Sequence, residues 1–206
     1  MSTDPKRLIL ASSSPRRREL LSLLNIPFEV NASDTDESVP DHWTPQQIVQ
    51  ELALRKARAI ISDTQPSSQD AIVIGSDTIV VQDGVVLGKP KDANDAKRML
   101  NLLSGSTHQV YTGVACIDLA NQQELCQFSQ ANVTMRILHE YEIEAYIAGG
   151  EPMDKAGSYA VQGLGAVFVE KIEGDYHTIV GLPIGLLYQM LQQFGIHALS
   201  TASKIL

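Results

Sequence analysis

Three short stretches of this 206-residue chain carry residues whose types and spacing suit chemistry on an anionic ligand. In the first, Ser12-Ser13-Ser14-Pro15-Arg16-Arg17-Arg18, hydroxyls and free backbone N–H groups precede what reads as a helix start, an anion site in principle. Successive helix residues point about 100° apart, so three arginines cannot share one target. Arg16 and Arg17 are expected to face a ligand and Arg18 to face solvent. The run also reads as a solvated charge cluster, but positive charge at a helix N-terminus is mildly unfavourable, and a bound phosphate would offset it. In the second stretch, Gly75-Ser76-Asp77-Thr78, a carboxylate flanked by hydroxyls sits inside the most hydrophobic part of the chain. A buried carboxylate without partners costs several kcal/mol, so Asp77 needs a groove, a metal or a basic partner. A general base or metal ligand fits each of these, and a strand-end Asp making turn hydrogen bonds is the plainer alternative. In the third, Val161-Gln162-Gly163-Leu164-Gly165, two glycines free the backbone to approach a ligand, and Gln162 can both donate to and accept from a base or sugar edge.

Two lysines and an acidic loop could add to these. Lys56 falls on the inner side of a helix turn near Leu52 and Ile60, and Lys89 follows a hairpin directly, although each alone is more often a snorkelling surface lysine. Glu37, with its neighbours Asp34 and Asp36, could help hold a divalent cation, whereas an acidic loop is usually only solvated. The histidines show no metal-ligand spacing, and neither a G-x-S-x-G elbow nor a G-x-x-x-x-G-K-[ST] loop occurs, so zinc, acyl-transfer and P-loop chemistry find no support.

The elements that must position these residues follow from hydrophobic pattern and punctuation. Leu8 to Ala11 reads as a buried strand, Ser14 as an N-cap with Pro15 at the first helical position, and Leu20, Leu21 and Leu24 as the apolar stripe of a helix stopped by Asn25 and Pro27. Phe28 to Val30 reads as a second strand and Asn31 to Asp41 as loop. Thr44-Pro45 opens a long helix, roughly Pro45 to Ile61, with Ile48, Leu52, Ala53, Ala57 and Ile60 inward and Glu51, Arg55 and Arg58 outward. Asp63 to Asp70 is a polar loop, the stretch expected to be most open to cleavage. Ala71 to Val81 and Val85 to Leu87 flank Asp83-Gly84, a hairpin signal. Asp92 caps a helix with Ala96, Met99, Leu100 and Leu103 inward, ended by Ser104-Gly105. Val110 to Leu119 and Leu125 to Arg136 read as paired strands, and Glu140 to Ala148 as a helix closing at Gly149-Gly150. A Gly-rich loop from Asp154 to Gly165 leads to an expected hairpin of Ala166 to Ile172 with Tyr176 to Val180. Gly181-Leu182-Pro183 opens a last helix ending near Phe194-Gly195, and the tail from His197 shows no packing role. Interleaved strands and helices with hairpins predict an α/β fold on a mixed sheet, with two lobes and a groove between them.

Composition bounds the rest. With 44% hydrophobic and 19% charged residues the chain reads as globular, and its length suits one domain, or two closely packed lobes, spanning residues 1–206. A net charge of -8 and the lack of a basic stripe with aromatics argue against nucleic-acid binding. Cys116 and Cys126, too few for a disulfide framework, read as reduced thiols. No window approaches a membrane span and the first residues lack the apolar run of a signal peptide, so a cytoplasmic location is expected.

Eight ordered motifs resemble the Maf-like nucleotide pyrophosphatases over nearly the whole chain: A-S-S-S-P-R-R at 11–17, L-A-x-x-K-A at 52–57, G-S-D-T at 75–78, G-K-P at 88–90, S-G-x-T-H at 104–108, D-K-A-G-x-Y at 154–159, Q-G-L-G at 162–165 and V-G-L-P at 180–183. The resemblance implies a Maf/ITPase-like fold, two lobes around a nucleotide-binding cleft, and metal-dependent hydrolysis of a nucleoside triphosphate to the monophosphate and pyrophosphate. Arg16, Thr78 and Gln162 look like the dTTP/UTP branch; the 7-methyl-GTP branch tends to carry Trp, Gln and Glu at those positions. By this likeness Asp77 accepts the proton and joins Glu37 at a Mg²⁺ or Mn²⁺ site. Arg16, Thr78 and Gln162 set base choice, while Ser12, Arg17, Lys56 and Lys89 hold phosphates. The extra Arg18 and the tail beyond Gly195 depart from the pattern. The rival readings are a pyrophosphatase for 7-methyl-GTP or another modified nucleotide, and a nucleotide sensor that regulates cell division without turnover. A homodimer stays open, since no feature of the sequence argues for one.

Overall fold

Aliphatic runs bounded by Ser, Asp-Gly and Pro punctuation become the strands, and apolar residues at helical spacing become the inward faces of the helices between them. The computed structural model describes residues 6–32, 34–63 and 70–201. In chain order the elements are β1 (Arg7–Ala11), α1 (Pro15–Ser22), β2 (Phe28–Val30), α2 (Pro45–Asp63), β3 (Ala71–Gln82), β4 (Val85–Leu87) and α3 (Ala93–Leu103). There follow β5 (Thr107–Asp118), β6 (Glu124–Met135), α4 (Glu140–Ala148), β7 (Val169–Glu173), α5 (Tyr176–Val180), α6 (Ile184–Gln193) and α7 (Ala198–Thr201). The seven strands form one mixed sheet in the order β2-β1-β3-β5-β6-β7, with β4 paired to β3, as the interleaved pattern predicts. Among the described residues no helix is long and apolar enough to cross a membrane.

The chain divides into two compact units, one of Met1–Asp77, Gly113–Phe128 and Gly181–Leu206, the other of Thr78–Thr112 and Ser129–Val180. In the first, β1 pairs in parallel with β2 and β3, placing Leu8 opposite both Phe28 and Ile72 and Ala11 opposite Gly75. The inward stripe of α2, with Ala53, Ala57 and Ile60, packs on Ile9, Val73, Ala115 and Ile117. Glycine is what lets this helix lie so close: a Cβ on Gly75 would fall 2.1 Å from the Ala53 carbonyl oxygen, and one on Gly113 2.1 Å from that of Val49. Arg58 holds Glu124 of β6 with two guanidinium nitrogens at 3.0 and 2.5 Å, and Lys6 pairs with the buried Asp118.

In the second unit, Asp83 and Gly84 both take positive φ (49° and 79°), the backbone of a type I′ turn, and β4 folds back antiparallel on β3. Asp92 caps α3 by accepting from the Asp95 N–H at 2.8 Å, and the four inward residues named from periodicity, Ala96, Met99, Leu100 and Leu103, are the buried ones. Met99, Leu100 and Leu103 pack with Val133, Met135, Ile143, Tyr146 and Phe168. Also buried here is His108, whose Nε2 meets the Tyr159 hydroxyl at 2.8 Å while its Nδ1 has no hydrogen-bond partner among the described residues. Burial lowers its pKa from the ordinary 6.5 to about 4.

Three local expectations are corrected. Tyr176–Val180 is a helix and not the second arm of a hairpin: Asp175 accepts from the N–H groups of His177 (3.0 Å) and Thr178 (3.1 Å), which starts a helical turn, and β7 pairs with β6 instead. A five-residue β-branched run reads equally as either. The Gly-rich loop follows a 3₁₀ turn at Glu151–Asp154 and contains others at Ala156–Ser158 and Gly163–Phe168, the last of which takes Ala166–Phe168 out of the expected strand, so that β7 begins at Val169. The tail after Gly195 also packs at its start, with Ile196 and Ala198 buried and α7 following. Of the polar loop at 63–70, residues 64–69 lie outside the described residues. The two cysteines are free thiols, Cys116 buried and Cys126 half-buried, and burial raises both, the latter to about 11.

Candidate functional site

In the first unit β1 runs into the serine loop, and the loop folds on itself before the helix begins. Ser12 Oγ accepts from the Ser14 N–H at 3.2 Å, and Ser14 caps α1 by accepting from the Arg17 N–H at 3.5 Å. No acidic residue stands in the first turn of α1, which presents Arg16 and Arg17 half-buried and Arg18 exposed, the division expected from helical geometry. Arg17 Nε donates to the Gly181 carbonyl at 2.8 Å, and Ser76 Oγ reaches the same carbonyl at 3.0 Å. The V-G-L-P segment is therefore a fixed acceptor that aims the guanidinium. Desolvation lowers the Arg17 pKa from its ordinary value, against the pull of Asp77.

Asp77 lies on the same face of β3 as Gly75, because side chains alternate along a strand. The close approach of α2 that Gly75 permits brings Lys56, one turn beyond Ala53, onto that carboxylate. Lys56 Nζ contacts Asp77 Oδ1 at 2.6 Å and Glu37 Oε1 at 2.7 Å. Asp77 is only 6% exposed, so a basic partner meets its need to be compensated, while Glu37 reaches in from the loop before α2 and is more than half exposed. Two carboxylates on one ammonium leave this cluster with a surplus negative charge facing a nearby arginine. Asp34 and Asp36 do not join it: Asp34 is exposed, and Asp36 holds the turn at Ser38.

No group of three or more His, Cys, Asp or Glu residues is placed to cage a metal among the described residues. Mg²⁺ commonly binds through one or two carboxylates, with waters and substrate phosphates completing its shell, and the oxygens of Asp77 and Glu37 are close enough to touch one cationic group. The pair fits an ion shared with a polyphosphate and does not fit a closed protein cage.

The second unit holds the other expected residues. Thr78, half-buried and next in β3 after Asp77, places its hydroxyl 2.9 Å from that of Thr112. Gln162 is half-buried at the start of the 3₁₀ turn Gly163–Phe168, and Lys89 is exposed in the loop after β4. The Gly88 carbonyl beside Lys89 accepts from Gly157 N–H at 3.1 Å, which ties the G-K-P and D-K-A-G motifs together.

Sequence reasoning gave no role to Glu151, yet it organises the loop that carries Gln162. Its carboxylate accepts from the Leu164 and Gly165 N–H groups, both at 3.1 Å, and from the Tyr146 hydroxyl at 2.9 Å. Burial opposes its charge, but these donors outweigh it and leave its pKa lowered. A Cβ on Gly163 would meet that carboxylate at 2.9 Å, and one on Gly165 would sit 2.5 Å from the Ala160 carbonyl, so the glycines of Q-G-L-G are needed for packing. Lys155, which the sequence marks only as part of the D-K-A-G motif, donates its Nζ to the Glu151 carbonyl at 2.6 Å. The one available signal was position, since Glu151 precedes the motifs by only a few residues.

Comparison with known proteins agrees with the motifs. The family model described as "Maf-like protein" matches residues 7–194. A Bacillus cytotoxicus protein named dTTP/UTP pyrophosphatase is 51% identical over 189 residues, 92% of this chain and 96% of its own. A Bacillus cereus protein of the same name is 49% identical over 191 residues, 93% of this chain and 91% of its own. Among solved structures, the Ham1 protein of Staphylococcus aureus matches with a TM-score of 0.43 at 14% identity, over 63% of this chain and 72% of that one.

Proposed function

The chain belongs to the Maf-like protein family, and from that premise we propose that it hydrolyses dTTP and UTP to the nucleoside monophosphate and pyrophosphate. The observation that carries the chemistry is the buried Asp77 carboxylate held at 2.6 Å by Lys56, beside the serine loop and Arg17. In this reading Asp77 takes a proton from the attacking water, and the bond between the α and β phosphates breaks. Lys56 holds the carboxylate in place by its ammonium and, with Ser12 and Arg17, bears on the phosphates. Arg17 is kept pointed by the Gly181 carbonyl, so little side-chain freedom is left to lose when an anion arrives. In the second unit Lys89 is assigned to phosphate, and Thr78 and Gln162, with Arg16 of the first, to base choice, by their resemblance to the dTTP/UTP branch of the family. Asp77 and Glu37 would hold Mg²⁺ or Mn²⁺, which when bound supplies positive charge to a triphosphate carrying about four negative charges. We read residues 1–206 as one functional domain and place it in the cytoplasm, where nucleoside triphosphates are made and consumed.

The test is pyrophosphate release from dTTP, UTP, CTP, GTP and 7-methyl-GTP, with Mg²⁺, Mn²⁺ or EDTA, for wild type beside Asp77→Asn. The expected result is metal-dependent turnover of dTTP and UTP, with kcat lower by about 10² or more in the variant, which keeps the shape and removes the base. Near wild-type turnover by Asp77→Asn removes Asp77 from the role. Binding without turnover of any nucleotide favours the sensor.

A further inference from the structure

The second unit lines up the hydroxyls of Thr78 and Thr112 with the Thr178 carbonyl in a hydrogen-bonded row, of which the reaction as proposed uses only Thr78. Thr78 Oγ1 and Thr112 Oγ1 are 2.9 Å apart, and Thr112 Oγ1 lies 2.7 Å from the carbonyl oxygen of Thr178. A threonine hydroxyl has one proton and a carbonyl oxygen has none. Thr112 must therefore donate to Thr178, and the proton between the two hydroxyls must come from Thr78. The direction of the row is set: Thr78 donates to Thr112, and Thr112 donates to the backbone.

The inner end of this row is anchored. Thr112 and Thr178 are fully buried. Thr178 belongs to α5, whose first turn is held by the Asp175 carbonyl at 3.1 Å, and its own hydroxyl donates to Ser129 Oγ at 2.7 Å. The outer end, Thr78, is half-buried. With its proton engaged inward, its oxygen meets a ligand through lone pairs.

We propose that Thr112 is a positioning residue that holds the Thr78 hydroxyl as a hydrogen-bond acceptor, and so selects nucleobases whose ring edge carries an N–H. Uracil and thymine carry N3–H; cytosine carries a bare N3. The inference rests on the proposed role of Thr78 in base choice and adds to it the polarity of the contact. An acceptor opposite N3–H makes a hydrogen bond. The same acceptor opposite the N3 lone pair of cytosine leaves both groups unpaired, the kind of mismatch a site rejects most strongly.

The experiment compares kcat/KM for UTP, dTTP and CTP in wild type, Thr112→Val, Thr112→Ser and Thr78→Val. Thr112→Val is close in shape but removes the inward acceptor, so the Thr78 hydroxyl can rotate and offer its proton to cytosine. The UTP to CTP ratio is expected to fall tenfold or more in Thr112→Val and to stay within a few-fold of wild type in Thr112→Ser, which keeps the hydroxyl. A wild-type ratio in Thr112→Val overturns the proposal, and so does a Ser variant that loses the ratio as fully as Val. Thr78→Val, at the less buried end of the row, keeps the test open should Thr112→Val not fold: it must lower UTP and dTTP use more than CTP use, and equal losses overturn the proposal. The wild-type panel is read first. Turnover of UTP and CTP at equal efficiency would mean that the dTTP/UTP reading itself had failed, an outcome distinct from a preference the variants do not disturb.

Discussion

Replacing Gly75 by alanine adds a single methyl group, yet it should cost both stability and activity. The new Cβ would stand 2.1 Å from the Ala53 carbonyl oxygen, 2.9 Å from the Ala57 nitrogen and 3.0 Å from the Ala57 Cβ, where ordinary contact begins at 3.4 Å. Two of those atoms are backbone of α2, so no rotamer change relieves the clash, and the helix must lift from β3 by about 1 Å. Lys56 sits three residues beyond Ala53 on the same helix. A shift of that size stretches its 2.6 Å contact with Asp77 past the length of a hydrogen bond. Overpacking of this kind costs about 1 to 3 kcal/mol, and a misplacement of about 1 Å in a reacting constellation costs on the order of 10² in rate. The assay is thermal unfolding together with kcat/KM for UTP. Gly75→Ala should lower Tm by several degrees and kcat/KM by about 10². Gly185→Ala in α6 is the control: its Cβ meets nothing within 4 Å, and alanine is the better helix former by up to about 1 kcal/mol. If Gly75→Ala matches wild type in both measurements, the close approach of α2 to β3 does not govern the Lys56–Asp77 pair, and the reasoning is wrong.

Two further outcomes follow from the second unit. His108 is fully buried with its pKa lowered from 6.5 to about 4, so its contribution to stability is complete above pH 6.5 and is lost as the unfolded chain takes up the proton between 6.5 and 4. The loss is of order 3 kcal/mol, read as denaturant midpoints from pH 7 to pH 4; equal pH slopes for wild type and His108→Gln would refute it. Glu151→Ala should raise KM for UTP more than it lowers kcat, because it leaves the Leu164 and Gly165 N–H groups without their acceptor and loosens the turn beside Gln162. An unchanged KM would detach Glu151 from the base-reading loop.

The legible parts of this protein were those governed by local physics. Asp92 and Ser14 as caps, Asp83-Gly84 as a turn and the four inward residues of α3 depend on neighbours within a few positions, where hydrogen bonding and hydrophobic period act directly. The run Tyr176 to Val180 reads as a strand for the converse reason: five residues carry too little period, and the Asp175 carboxylate and carbonyl decide for a helix.

Composition and spacing set which residue types were at hand, and the motifs were specific enough to indicate the family. The sequence also required that a carboxylate in the Ala71 to Val81 run find a partner, because desolvation is costly whatever the fold. Which partner answered was a tertiary matter. Lys56 reaches Asp77 across 21 positions only because Gly75 lets a helix rest on a strand backbone, and Glu37 arrives from a loop that reads as merely solvated. Likewise nothing local marks Thr112 or Glu151. Their roles come from oxygen atoms brought within 3 Å of Thr78 and of the Tyr146 hydroxyl by strand pairing and helix packing. Hydrogen-bond direction and ion pairing act over a few ångströms, and only the folded chain sets those distances.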